Sequence, residues 1–482
     1  MTRTALFAAT LTSLCLTATL QAQTPTLSDA TRAFVKYDQP LIAITHVRVI
    51  DGNGTPAMDD QTVVVRSGRI ASIQPHAAAP KGATVIDGSG QTLIPGLVGM
   101  HDHMFYPAPK VNPAAKEALY PEQGSSFPKL YLAGGVTTIR TTGSIEPYTD
   151  VALKKAIDAG TIPGPKMHTT GPYLEGAGSY TPQMHELASA ADARDTVDYW
   201  IDEGASSFKA YMHITRAELK AATEAAHARG IKITGHLCSI GFREAADLGI
   251  DDLEHGLVVD TEFTKGKQPD VCPDGKVALA TLATMHATDP AIRQLIGYLV
   301  DKHVAVTSTL PVFETFVPGR APIDSRVLDA MLPQTRAEYL KTRERIAAKP
   351  GSPWPALFKL EQDFEHAFAQ QGGTLLAGLD PTGYGGVIAG YGDQREVELL
   401  VESGFTPVQA IQIATLNGAR FMGADKEIGS IEPGKAADLV LLKGNPARDI
   451  HDIEHVELVF KDGVGYDPRK LVSAANGTVG LR

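Results

Sequence analysis

From Pro95 onward the chain repeats one unit: a short apolar run, an Ala-rich helical stretch, then the next apolar run. Runs of strand length that alternate with helical stretches build parallel sheets, because two parallel strands need a long crossover between them. Candidate strands end near His101, Arg140, Thr170, Tyr211, His236, His255, Leu310 and Asp380. Eight such units are the number that closes a (β/α)8 barrel, so an α/β, TIM-like fold is expected. Two helix starts agree with this register. Thr215-Arg216-Ala217-Glu218 is a capping box before a helix that stops at Gly230, and Thr406-Pro407-Val408-Gln409 is another with Pro at the first helical position. Val312 to Gln370 is too long for a simple connection and is expected to carry extra helices over the barrel mouth.

Before Pro95 the pattern differs. Leu41 to Ile50, Thr62 to Val65, Ile70 to Ile73 and Thr84 to Ile86 are β-branched runs separated by turns such as Ser67-Gly68, and they read as a small antiparallel sheet. After Gly423, Glu427 to Leu442 returns to β character and closes back onto that sheet.

Composition limits the function classes. The 482 residues are 43% hydrophobic and 21% charged, enough for a large core and unlike a disordered chain. A net charge of −11 without a long basic run argues against nucleic acid or anionic membranes as partners. Arg3, the apolar stretch Ala5 to Leu20 and the following Gln21-Ala22-Gln23 read as a secretory signal peptide, so an exported, periplasmic or secreted protein is expected. No other segment is long and apolar enough to span a bilayer. In an oxidising compartment Cys238 and Cys272 are free to pair if geometry allows.

The chemistry starts at His101-Asp102-His103. Side chains two apart on a strand point to one side, so His101 and His103 can aim two imidazoles at one ion. Lys209, His236, His255 and Asp380 fall at later strand ends, where barrel enzymes place their active sites. Singly, His236 and His255 also fit hydrogen-bonded core histidines, Asp380 a helix N-cap, and Lys209 a side chain snorkelling to the mouth. Strand alternation puts Lys209 and Tyr211 on one face. A neutral Lys209 that reacts with carbon dioxide gives a carbamate whose two oxygens can bridge two metals. Tyr211 is a candidate donor to a developing oxyanion, or a packed aromatic at the rim. His168 is a candidate substrate contact or a structural histidine. Gly383 to Gly392 reads as a rim loop and lacks the lysine of a phosphate-binding loop.

These residues resemble the amidohydrolase superfamily, and within it the secreted imidazolonepropionase-related amidohydrolases that include Xaa-Pro and Xaa-Arg dipeptidases and ochratoxinase-like amidases. The most specific pieces are Leu93 to His103, Gly134-Gly135-Val136-Thr137-Thr138-Ile139-Arg140, Gly235-His236, Glu254-His255-Gly256, Ala414 to Ala419 and Gly429 to Leu439. The relatives' aspartate after the second-strand arginine is replaced by Thr141-Thr142-Gly143, which weakens any transfer of substrate specificity through this loop. With the signal peptide read over 1–22, the resemblance implies a β-sandwich from 23–94 and 424–482 and a barrel over 95–423. It implies two divalent ions, zinc being expected and manganese or cobalt alternatives. His101, His103 and Asp380 would hold the inner ion, His236 and His255 the outer, with carbamylated Lys209 bridging. Such ions lower the pKa of a shared water to give a nucleophilic hydroxide, and Asp380 would serve as general base and acid.

The expected reaction is hydrolysis of an amide in a small-molecule substrate, a dipeptide or N-acyl amino acid. The alternatives are a single-metal cyclic-amide hydrolase or deaminase like imidazolonepropionase, a lactonase or phosphotriesterase-like ester hydrolase, and a non-catalytic binding protein on a retained barrel. Barrels of this kind often associate as homo-oligomers.

Overall fold

The computed structural model describes residues 26–108, 118–320 and 322–481. The expected signal peptide lies outside the described residues. Among these, no helix is long and apolar enough to cross a membrane.

A nine-stranded sheet draws on both ends of the chain. Its N-terminal part contains Val35–Tyr37, Leu41–Val49, Met58–Arg66, Arg69–Pro75, Thr84–Asp87 and Gln91–Pro95, and its C-terminal part Leu439–Lys443, Val456–Lys461 and Val464–Tyr466. Ser67 and Gly68, with φ of 47° and 82°, turn the hairpin between Met58–Arg66 and Arg69–Pro75. Two positive-φ residues suit a tight hairpin because their twist matches that of the strands. Gln91–Pro95 and Leu439–Lys443 run antiparallel in register, Leu93 opposite Leu441, and this pairing ties the two chain ends together. Alternation then divides their side chains: Leu93, Leu439 and Leu441 enter the sheet's own core, while Ile94, Val440 and Leu442 join the main core. Two expectations are corrected. The sheet is mixed, because Thr84–Asp87 and Gln91–Pro95 both run parallel to Leu41–Val49. Of Glu427 to Leu442 only the last few residues are strand, since the bends before Leu439 interrupt pairing.

The parallel core has two runs. One is Leu97–Asp102, Val136–Thr141 and Lys166–His168; the other is Thr170–Leu174, Ser207–Ala210, Lys232–Gly235, Asp252–Glu254, Ala305–Ser308 and Leu375–Ala377. Only Thr169 separates Lys166–His168 from Thr170–Leu174. The last strand meets the first where Asp380 N–H donates to the His101 carbonyl at 3.0 Å. Helices such as Ala190–Glu203 and Arg216–Ala228 connect successive strands, an arrangement consistent with a (β/α)8 barrel. The capping boxes form: Glu218 accepts from Thr215 N–H at 2.8 Å, and Gln409 from Thr406 N–H at 2.9 Å. The third strand continues past Thr170 to Leu174, and the seventh stops at Ser308, because Leu310 opens a short helix with Pro311 in its first turn. Helices Ser325–Ala330, Pro333–Ala347 and Trp354–Gln370 fill the long connection before the last strand.

Candidate active site

A cavity of about 180 Å³ at the C-terminal ends of the barrel strands is lined by His103, Lys209, Tyr211, His236, His255 and Asp380 among others. His101 lies buried beside it, its ring centroid 5.2 Å from that of His103 and 4.4 Å from that of His255. His255 and His236 are 4.4 Å apart, so the four imidazoles form one continuous group. One ligand atom each from His101, His103 and Asp380 falls within 4.8 Å of the others, and all three residues are buried. Asp380 Oδ2 lies 3.8 Å from His101 Nε2, and Asp380 Oδ1 lies 3.7 Å from His103 Nε2.

Electrostatics keep this group ready for a cation. Burial, with the nearby Lys209 charge, holds His101 and His103 well below the ordinary imidazole range, so both are neutral with lone pairs available. Burial likewise brings His236 down to about 3. Asp380 is pushed up to about 6 by burial, against the opposing pull of Lys209. Its Oδ1 is buried without a hydrogen-bond partner. A buried carboxylate oxygen left unpaired between neutral imidazoles is costly in itself and fits a metal ligand set.

Lys209 Nζ is 3.1 Å from His101 Nε2, and burial lowers its amine to about 8. Tyr211 lines the cavity with its hydroxyl 2.7 Å from that of Tyr180. His168 is not brought to this group. The third strand runs on to Leu174, which leaves His168 below the mouth, pairing in register with Arg140, and it does not line the cavity.

Strand alternation had not singled out the residues that hold His101 in place. Glu254 Oε2 accepts from His101 Nδ1 at 2.7 Å, which turns Nε2 toward the cavity. Arg140 donates to Glu254 Oε1 at 2.8 Å, to Asp252 at 3.3 Å and to the Met100 carbonyl at 2.6 Å. Burial would raise the Glu254 carboxyl, but Arg140 and Lys209 outweigh it and hold it below its ordinary range. Thr309 Oγ1 lies 2.8 Å from His255 Nδ1 and orients that ring. The available signal was a charge inside an apolar strand, as in Ile139-Arg140 and Leu253-Glu254.

The model of the amidohydrolase family matches residues 92–310 and 382–465. The chain belongs to the amidohydrolase family. Its members act on carbon–nitrogen bonds, and the first matched stretch contains every candidate ligand but Asp380, which stands two residues before the second. This amidohydrolase is 25% identical to an imidazolonepropionase from Mycolicibacterium smegmatis over 87% of its own length and 92% of the relative's. Among solved structures it resembles a Xaa-Pro dipeptidase with bound methionine in the active site, at TM-score 0.65, 20% identity, and coverage of 89% of this chain and 100% of the other. It also resembles the Aspergillus niger ochratoxinase, at TM-score 0.61, 18% identity, and coverage of 89% and 96%. These likenesses at low identity concern the fold.

Proposed function

We propose that this amidohydrolase cleaves the amide bond of a dipeptide or N-acyl amino acid with two divalent ions, zinc being the expected metal. The observation that carries the reading is the buried convergence of His101, His103 and Asp380, with Lys209, His236 and His255 around the same cavity. In this reading His101, His103 and Asp380 hold the inner ion and His236 and His255 the outer, with a carbamate on Lys209 between them. The ions, when bound, supply the positive charge that activates water and polarises the scissile carbonyl. Asp380 takes the proton from the attacking water and returns it to the departing amine, a role suited to a buried carboxylate whose Oδ1 has no hydrogen-bond partner. The lowered Lys209 amine supports the carbamate, since only its neutral form reacts with carbon dioxide. Tyr211, positioned by Tyr180, offers a hydroxyl to the carbonyl oxygen. The fold neighbours, a Xaa-Pro dipeptidase and an ochratoxinase, support an amide substrate.

The test is a dipeptide and N-acyl amino acid panel assayed with the metal-loaded enzyme and with Asp380→Asn. Turnover should appear with wild type and fall by about 10²–10⁴-fold in the variant. A panel on which the metal-loaded wild type is inert sinks the reading.

The imidazolonepropionase likeness favours a second reading, a single-metal cyclic-amide hydrolase. Lys209→Ala separates the two. One ion per chain with full activity in that variant supports the second reading, and loss of an ion with loss of activity supports the first. Export also remains part of the proposal, supported by the Cys238–Cys272 disulfide.

A further inference from the structure

Ring contacts lead out of the active-site cavity toward solvent. The His255 ring lies 5.7 Å from Phe313, Phe313 lies 5.8 Å from Trp354, and Phe316 lies 4.5 Å from Trp354 and 4.8 Å from Tyr384. Phe316 lines both the active-site cavity and a neighbouring cavity of about 360 Å³. Trp354 and Tyr384 form part of the second cavity's wall, and Arg345 and Lys349 another part. Four segments thus meet there: the turn after helix Leu310–Glu314 that carries Phe316, the end of helix Pro333–Ala347 with the turn after it, the start of helix Trp354–Gln370, and the glycine-flanked loop after Asp380. Tyr384 is 49% exposed.

Charge sets this outer cavity apart from the inner one. Among the described residues, Arg345 and Lys349 make no hydrogen bond or ion pair through their side chains, whereas nearby Arg320 and Arg395 are both paired with Glu314. Both are exposed, and they are the two lysine or arginine side chains on that cavity's wall. The inner cavity is walled by apolar rings, tyrosines and neutral imidazoles, and Lys209 is its only lysine or arginine among the described residues. A substrate anion beyond the reacting amide therefore finds its partners outside.

We propose that the outer cavity is a subsite for a planar aromatic group bearing an anion, the distal end of an extended amide substrate. The aromatic group packs against Trp354 and Phe316, and its anion pairs with the exposed Arg345 and Lys349. What is cut rests on the amide-hydrolysis reading above, while what binds outside does not.

The full-length, metal-loaded enzyme allows a binding test independent of turnover. The chain has two tryptophans, so in a Trp200→Phe background the emission is that of Trp354 alone. Titration with 4-nitrobenzoate and with the neutral 4-nitrobenzamide should show quenching by both, with the anion bound about tenfold more tightly. In Arg345→Gln/Lys349→Gln the two affinities should converge. Equal binding of the two probes in the parent, or a preference that survives the double substitution, overturns the subsite. In turnover, N-aroyl amino acids with a carboxylate on the distal ring should have a lower KM than their carboxamide counterparts at similar kcat, and the double variant should raise that KM. Probe discrimination with no hydrolysis anywhere on the dipeptide and N-acyl amino acid panel overturns the amidase reading and keeps the subsite; hydrolysis without discrimination does the reverse.

Discussion

His255 and Asp380 face the cavity from backbone conformations that most residues avoid, with φ of 72° and 48°. Each such conformation costs about 1–3 kcal/mol and persists only where the surroundings enforce it. Here His255 N–H donates to the Thr307 carbonyl at 2.9 Å and Asp380 N–H to the His101 carbonyl at 3.0 Å. Both bonds join a residue just past one strand to the neighbouring strand, so the barrel itself holds the two side chains at the mouth. The same logic applies below, where Glu254 connects His101 to Arg140. Glu254→Gln keeps the shape of the side chain but removes the charge that fixes the His101 tautomer and compensates Arg140. Metal affinity should fall by about 10–100-fold, measured by competition with a chelator, while activity at saturating metal falls less. An unchanged affinity would show that Glu254 serves only to neutralise Arg140.

At the level of strands and helices, the apolar runs located most of the site. His101, His236 and His255 each stand at or just past the end of a strand that period and turn signals had marked. Gly171-Pro172 has the composition of a break, yet Thr170–Leu174 pairs with Ser207–Ala210 across a register shift between Thr170 and Tyr173, so the strand runs past the expected end near Thr170. Strand direction in the nine-stranded sheet was not legible either, since alternation marks a buried face and says nothing of parallel or antiparallel pairing. Gly378 was equally silent. A Cβ there would stand 2.4 Å from His101 Cβ and 2.5 Å from its backbone nitrogen, so the last strand reaches the first only because this position has no side chain. Gly378→Ala should lower stability by about 1–3 kcal/mol, and its metal content should fall because the clash falls on His101. Thermal melts paired with metal analysis check this; a variant that melts lower but keeps full metal content refutes the second half. The loop after His236 has its own restraint in the Cys238–Cys272 disulfide, which spans 34 residues. A loop of that length is worth about 3–4 kcal/mol in the chain-entropy description, so Cys272→Ser should lower Tm, and reduction should lower it in wild type but not in the variant.

Across the whole molecule, the outer helices grip the barrel rim through buried carboxyls. Glu361, from Trp354–Gln370, accepts from Val258 N–H at 2.7 Å, and Glu365 accepts from Ser308 at 2.9 Å. Glu396, from Tyr391–Glu402, accepts from Leu310 N–H at 3.0 Å. Burial raises Glu361 and Glu396 to about 8 and, in the same helix, Asp393 to about 7. Between the ordinary carboxyl range and these raised values the folded protein keeps protons that the unfolded chain releases. Stability from these groups is therefore full at low pH and is lost as pH rises toward 8, by up to about 1.4 kcal/mol per pH unit for each group. The lowered histidines act in the opposite sense but only below their ordinary 6.5, as with His236 at about 3 and His168 at about 4. Lys209, lowered to about 8, adds stability with rising pH only above that value. Above about 6.5 the carboxyls are joined only by His213, raised by its hydrogen bond to Glu175 and acting in the same sense, so melting temperature should fall from there to about 8. Glu396→Gln keeps an acceptor for Leu310 N–H and removes one titration. Its melting temperature should exceed that of wild type near pH 8, with the gap narrowing toward pH 6.5 and closing only near the ordinary carboxyl range, where the unfolded carboxyl is protonated as well. A gap that stays constant between about pH 6.5 and 8 would place the proton elsewhere among the rim carboxyls, and Glu361→Gln is then the variant whose gap should narrow.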